Sequence, residues 1–356
     1  MEYERIPKPG ADEFAVRPNL DDYEGTRAAF DYERVIDELD GLPGGGLNIA
    51  YESLDRHVAA GNGEKACILW ESKDGRSETY TYADMARLSN QFANVLQQLG
   101  VEKGSRVFVF MDRTPELYAA VFGALKAGCI IGPLFSAFGP DAIRDRLENS
   151  GAVVLVTTPK LKTKVYEVRD DLPELKHLII ADHDAPPETA EGELSWNELM
   201  AAAPETFEIV ATGPEDPAIM HYTSGTTGKP KGAVHVHKAV LGHYATGKFA
   251  LDMHPDDIYW CTADPGWVTG TSYGMFAPCT NGVTSVIYEG GFSARAWYEV
   301  IAKYKVTVWY TAPTAIRMLM KAGEEAPKKH DLSSLRYTIY SFGKAAAMCE
   351  PIGSSQ

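Results

Sequence analysis

Short apolar runs alternate along this chain with amphipathic helical patterns, and that alternation admits few folds. Arg106–Met111 (RVFVFM) is apolar enough to lie buried on both faces as a strand. Cys129–Phe135, Val153–Thr158 and Leu178–Asp182 read the same way, and the pattern resumes at Pro217–Tyr222, Ile258–Thr262, Thr284–Glu289 and Val306–Thr311. Between them, Met85, Leu88, Phe92, Val95, Leu96 and Leu99 recur at spacings of three and four, one apolar stripe on a helix that Gly100 closes. Thr114-Pro115 opens a further helix to about Ala127, as N-cap and first helical residue, and Pro140 opens another through Asn149. Strand–helix–strand order with doubly buried strands predicts an α/β fold of mostly parallel sheets covered by helices.

The 356 residues allow two such units. Residues 1–46 are polar and rich in Pro and Gly, an arm with a short helix near Tyr32–Leu39, broken at Gly44-Gly45-Gly46. The acidic, proline-containing stretch His183–Ser195 reads as a surface loop and a seam. It divides a first α/β subdomain, 47–195, from a second, 196–337.

Lys and Arg total 34 against 49 Asp and Glu, a formal charge of −15. A general nucleic-acid binder needs a basic face, so that class is excluded. A local loop can still bind a small phosphate ligand within an acidic protein. The five cysteines form no C-x-x-C pair, which speaks against a zinc site or a disulfide framework and for free thiols in a reducing cytosol. The N-terminus is charged and broken by Pro7, without the apolar core of a signal peptide, and no apolar run approaches the ~20 residues of a membrane helix. The expectation is a soluble, cytoplasmic protein with no membrane partner.

The most informative segment is Tyr222–Gly232, YTSGTTGKPKG, directly after a predicted strand. Gly225, Gly228 and Gly232 let the backbone turn tightly and aim N–H groups at an anion. Thr223, Ser224, Thr226 and Thr227 add hydroxyl donors, and Lys229 and Lys231 add positive charge. The combination is a phosphate cradle by chemistry, where a sparser Gly/Ser/Thr run would read as a flexible surface loop. It is not a Walker A loop, because Pro230 stands where Ser or Thr should follow Lys229.

Farther on, Asp264-Pro265-Gly266 reads as a turn, followed by Trp267-Val268-Thr269-Gly270. By itself Trp267 fits core packing as well as it fits the wall of a site. Other candidates have blander readings. His235 and His237 lack companion ligands at metal spacing, so they read as structural or pocket-edge residues. Asp112-Arg113 stands at a strand end, where surface hydrogen bonding suffices, and Lys160, Lys162 and Lys164 read as a solvated charge run.

YTSGTTGKPKG resembles the phosphate-loop signature of the adenylate-forming superfamily of acyl-CoA synthetases, luciferases and peptide-synthetase adenylation domains. Asn48–Glu52 with Asp55–His57, Tyr259–Gly270 (YWCTADPGWVTG) and Trp309–Met320 (WYTAPTAIRMLM) resemble AMP-forming acetyl-CoA synthetases in particular. The likeness runs from about residue 30 to about Tyr337. It implies the large N-terminal domain of that fold, with ATP (carrying magnesium), acetate and CoA as small-molecule substrates. It implies an acetate–CoA ligase that activates acetate, propionate or another short acid to an acyl-AMP and passes the acyl group to CoA. On this likeness Thr223, Ser224, Gly225, Thr226, Thr227, Gly228, Lys229 and Lys231 would bind ATP phosphates. Trp267, Val268, Thr269 and Gly270 would line the acyl pocket.

After Leu335-Arg336-Tyr337 the sequence departs from the family pattern. The expected Gly-Glu-Pro turn is replaced by Ser341-Phe342-Gly343-Lys344, within a divergent tail, 338–356. The family's Trp-x-Thr-Glu motif, its ribose-binding Asp and the small C-terminal domain with the catalytic lysine have no counterpart in these 356 residues, so no catalytic or metal-binding residue is assigned. The expectation is a C-terminally truncated chain, not fully active alone, with a separately encoded C-terminal part as a possible partner. The rival expectation is an inactive, phosphate-binding remnant of a split or frameshifted gene.

Overall fold

The computed structural model describes residues 14, 16–223 and 229–340. Its strands are β1 (Ala66–Glu71), β2 (Ser77–Thr81), β3 (Arg106–Phe110), β4 (Ile130–Pro133), β5 (Val154–Thr157), β6 (His177–Ile180), β7 (Glu193–Ser195), β8 (Pro217–Thr223), β9 (Lys231–Val236), β10 (Ile258–Cys261), β11 (Thr284–Tyr288), β12 (Val308–Thr311) and β13 (Tyr337–Tyr340). Among the described residues they build two sheets. One has the order β13-β12-β10-β11-β1-β2 and the other β7-β6-β5-β3-β4-β8-β9. Pairing is parallel except at one edge of each sheet, where β2 runs against β1 and β9 against β8. The α/β class and the dominance of parallel pairing follow the sequence reading.

The sheets draw strands from both sides of the His183–Ser195 stretch. β1 and β2 join the sheet of β10–β13, while β8 and β9 close the sheet begun by β3. Sequence patterning sees a buried strand but not its neighbour, because pairing is fixed by contacts far apart in the chain. β13 includes the first three residues of the span read as a divergent tail: Tyr337–Tyr340 pairs in parallel with Val308–Thr311.

Both faces of the seven-stranded sheet are covered, as its apolar runs require. Along β3, Val107 and Val109 enter one core cluster with the helices Tyr82–Gln98 and Pro115–Lys126, while Phe108 and Phe110 enter another with the helix Pro140–Ser150. The first helix starts with a capping box, Thr81 and Asp84 exchanging side-chain and backbone hydrogen bonds. In the arm, a 3-10 helix covers Tyr32–Glu38, and Glu38 accepts from Tyr244 and Lys248 on the helix Ala239–Phe249. Lys126 lies buried between helices, its ammonium 2.8 Å from Asp55 Oδ1 and 2.7 Å from Asn90 Oδ1.

Candidate functional site

The phosphate-loop segment springs from the carboxyl end of β8. Thr223 is the last residue of that strand and pairs with Lys231, the first of β9. Thr223, Lys229 and Lys231 are exposed, and Ser224, Gly225, Thr226, Thr227 and Gly228 lie outside the described residues. β8 holds this mouth firmly. The Tyr222 hydroxyl donates to the Arg146 carbonyl (3.0 Å) and to Asn149 Oδ1 (2.8 Å), both on the helix Pro140–Ser150. On the opposite face of β8, His221 is buried, and burial pushes its imidazole down to about 4.

The second patch follows β10. Asp264 Oδ1 accepts from the Gly266 N–H (2.8 Å) and its carbonyl from the Trp267 N–H (3.0 Å), which forms the turn expected at Asp264–Gly266. Trp267 then caps the short helix Val268–Thr271. Two glycines let the backbones close in. A Cβ on Gly266 would stand 2.2 Å from the Phe135 nitrogen, and one on Gly270 would stand 2.0 Å from the Asp264 carbonyl oxygen. Trp267 is 50% exposed and Val268 44%, whereas Gly270 is buried. Trp267 is therefore neither ordinary core nor free surface: its ring packs at 5.3 Å from Phe135 and 6.2 Å from Phe138, in the loop after β4.

A chain of side chains joins the two patches. The Arg146 guanidinium lies over the Phe138 ring at 4.2 Å and over the Tyr222 ring at 5.6 Å. Trp267 thus reaches the base of the β8–β9 hairpin through Phe138, Arg146 and Tyr222. Burial lowers the Arg146 pKa, and its Nε has no partner among the described residues. Beneath Trp267, Ser136 Oγ donates to Asp264 Oδ2 at 3.3 Å, and burial raises the Asp264 carboxyl.

Arg113 ties the strand ends of the two sheets together. It follows β3 and donates to the Thr262 carbonyl (3.3 Å) beyond β10 and to the Gly290 carbonyl (2.9 Å) beyond β11. Surface hydrogen bonding was the sequence expectation here. The structure has Arg113 half-buried between the sheets, because the carboxyl ends of parallel strands expose carbonyls that need donors. Nor are the three lysines a free run. Lys160 pairs with Asp112 (3.2 Å), Lys162 with Glu193 (2.9 Å), and Lys164 donates to the Phe138 carbonyl (2.9 Å). His235 is exposed at the end of β9, while His237 is buried just beyond it, accepting from the Ile49 N–H through Nδ1 (3.1 Å). Among the described residues no group of three or more His, Cys, Asp or Glu could hold a metal ion.

Phe135, Phe138, Arg146 and Asp264 escaped the sequence reading as site residues. Two aromatics directly after a strand's carboxyl end, before Gly139-Pro140, were the available signal, since ligand loops in α/β sheets sit at that end. The arrangement is an apolar wall, open on one side, beside a hairpin mouth that carries two exposed lysines. Such a place suits a short apolar or carboxylate group next to a polyanion.

The chain resembles known proteins over most of its length. The acetyl-coenzyme A synthetase of Bacillus subtilis is 46% identical over 322 residues, covering 90% of this chain and 55% of that protein. The acetyl-coenzyme A synthetase of Deinococcus radiodurans is 37% identical over 326 residues, covering 86% and 50%. The chain thus spans about half the length of the curated relatives it matches. The crystal structure of a Brucella canis acyl-CoA synthetase superposes with a TM-score of 0.81 at 32% identity, over 89% of this chain and 57% of that one. An anthranilate CoA ligase, solved with anthranoyl-AMP, gives a TM-score of 0.75 at 27% identity, over 82% and 54%. No helix among the described residues is long and apolar enough to cross a membrane. The model of the AMP-binding enzymes matches residues 55–351, reaching past the Tyr337 at which the sequence likeness was read to end, and on that match the chain belongs to the AMP-binding enzyme family.

Proposed function

We propose that this chain provides the carboxylate-activating part of an AMP-forming acyl-CoA ligase whose acid is acetate or a close homologue. A carboxylate oxygen attacks the α-phosphorus of ATP, the bond to the bridging oxygen breaks, and pyrophosphate leaves. CoA thiol then displaces AMP from the acyl-adenylate. The first step asks the protein chiefly to hold two anions in line and to offset charge on the leaving pyrophosphate. Residues 223–229 and Lys231 are the phosphate-binding set in this reading, with Lys229 and Lys231 supplying the positive charge.

The observation that carries the proposal is the link from Trp267 through Phe138 and Arg146 to Tyr222, which couples an apolar wall to the base of the phosphate hairpin. Val268 and Thr269, both β-branched, would limit the acyl chain. One methylene is worth only about 1–3 kcal/mol, so propionate should be disfavoured rather than excluded. The described residues offer no metal cage, so magnesium would arrive with the triphosphate, where it neutralises phosphate charge.

The test is acid-dependent exchange of labelled pyrophosphate into ATP by the purified chain. Exchange that requires acetate, weakens with longer acids and drops when Thr269 is enlarged to Phe supports the reading. Failure of every short acid to promote exchange, in a chain that binds ATP by calorimetry, refutes it.

A further inference from the structure

Two buried cysteines that belong to no part of the site already described meet in the core. Cys67 Sγ lies 3.9 Å from Cys279 Sγ, although the residues are 212 apart in sequence. Cys67 sits in β1 at an irregularity of the ladder: Ala66 pairs with Thr81 and Ile68 with Tyr80, so Cys67 is the extra residue of a β-bulge. A bulge bends the strand and re-aims one side chain. Cys279 lies on the helical turn Ala277–Thr280, which continues the run that starts at Val268 beside Trp267.

The frame around the pair holds both sides together. Lys65 Nζ bonds the Gly282 carbonyl (2.6 Å), the Tyr82 hydroxyl donates to the Val283 carbonyl (3.1 Å), and His57 Nε2 bonds the Cys279 carbonyl itself (2.8 Å). Lys65 and Tyr82 flank the bulged hairpin, so three side chains from the Cys67 side anchor the segment that carries Cys279. Cys129, by contrast, points its thiol at the carbonyls of Glu102 and Ala127.

We propose that Cys67 and Cys279 form a dithiol modification site that a peroxide converts to an internal disulfide. One thiol takes an oxygen from the peroxide, giving a sulfenic acid and water. The second sulfur attacks the first, the S–O bond breaks, and the hydroxyl leaves as water with the second thiol's proton. The two thiols lose two hydrogens, and hydrogen peroxide becomes two waters. Closure shortens the sulfur separation from 3.9 Å to about 2.05 Å, a movement the irregular backbone at Cys67 can absorb. Burial, and next the neighbouring Cys279, hold the Cys67 thiol well above its ordinary range. Thiolate is therefore scarce, and the site answers sustained oxidant rather than a brief pulse.

The test uses the whole chain. Peroxide treatment is followed by alkylation of the remaining thiols in denaturant, non-reducing proteolysis and mass spectrometry. A parallel sample is unfolded and refolded in a glutathione redox buffer, so that access to the core does not limit the outcome. The expected result in both is a peptide linking Cys67 to Cys279 as the main cross-link, with two thiols per chain lost and both recovered on reduction. Cys279→Ala and Cys67→Ala should each abolish that link, with folding of each variant checked by near-ultraviolet circular dichroism. Recovery of both cysteines fully alkylated after sustained peroxide treatment, or after redox refolding, or equally abundant links to Cys129, Cys261 or Cys349, overturns the proposal.

Discussion

Gly266→Ala tests whether the Trp267 turn is built by backbone contact. The added Cβ would stand 2.2 Å from the Phe135 nitrogen, 2.3 Å from its Cα and 2.5 Å from the Leu134 carbonyl carbon. Ordinary van der Waals contact begins near 3.4 Å, so the two segments must separate by more than an ångström. Neither can slide freely. The Leu134 N–H donates to the Val109 carbonyl (2.8 Å), and the Gly266 N–H donates to Asp264 Oδ1 (2.8 Å). Overpacking costs about 1–3 kcal/mol, and a clash with main chain rather than a flexible side-chain end belongs at the upper limit. With a urea m-value of about 3 kcal/mol per M, a loss of about 3 kcal/mol lowers the unfolding midpoint by about 1 M. Gly291→Ala is the control, since nothing lies within 4 Å of its Cβ position, and it should stay within about 0.5 kcal/mol of the parent. Urea titrations of the three proteins by circular dichroism decide the matter. Equal midpoints for Gly266→Ala and Gly291→Ala would refute the close-contact argument.

Lys229→Ala should weaken pyrophosphate binding by up to about fivefold, as about 1 kcal/mol from an exposed charge implies, and should flatten its salt dependence; unchanged calorimetric affinity would remove Lys229 from the phosphate set. Lys126→Met should cost up to about 3 kcal/mol of unfolding free energy, because Asp55 then keeps a half-buried carboxylate without its ammonium partner, and adding Asp55→Asn should recover part of the loss; additive effects of the two changes would argue against the pair. Stability should also fall in mild acid. Burial pushes His57, His221 and His237 down to about 4 and His243 to about 3, from an ordinary 6.5. Their contribution is present above 6.5 and is lost as pH falls toward 4, each adding up to about 1.4 kcal/mol per pH unit to the slope; equal urea midpoints at pH 7 and pH 5 would contradict it.

What was legible in the sequence follows from how each element earns its burial. β3, β5 and β6 sit inside a sheet covered on both faces, so they must be apolar throughout, and RVFVFM and its counterparts announce them. β2 is an exposed edge strand, SETYT, with no apolar side to reveal it, and β9 is exposed along Lys231–His235. The helical run from Val268 to Thr280 contains Gly270, Gly274 and Pro278, poor helix formers that leave no helical pattern in the sequence, yet tertiary contact holds it helical. Of the candidate site, the loop stood out in the sequence because glycines, hydroxyls and lysines crowd into one stretch, of which 224–228 lie outside the described residues. Phe135, Phe138 and Arg146 did not, because their role rests on the meeting of the loop after β4, the helix Pro140–Ser150 and the turn after β10.

The antiparallel pairing of β9 fixes where the segment between β8 and β9 begins and ends. A parallel connection out of β8 would need a dozen or more residues, usually a helix, to carry the chain back to the other end of the sheet. The stretch 224–230 is too short for that, and β9 starts directly beside the end of β8, with Thr223 opposite Lys231. The short connection brings Lys231 on β9 back beside Thr223 at the end of β8. The other strand ends on this side are drawn together by Arg113, which occupies the Thr262 and Gly290 carbonyls. Lys229 and Lys231 thus stand exposed at the hairpin while carbonyls are occupied between the sheets, in a chain whose net charge is −15.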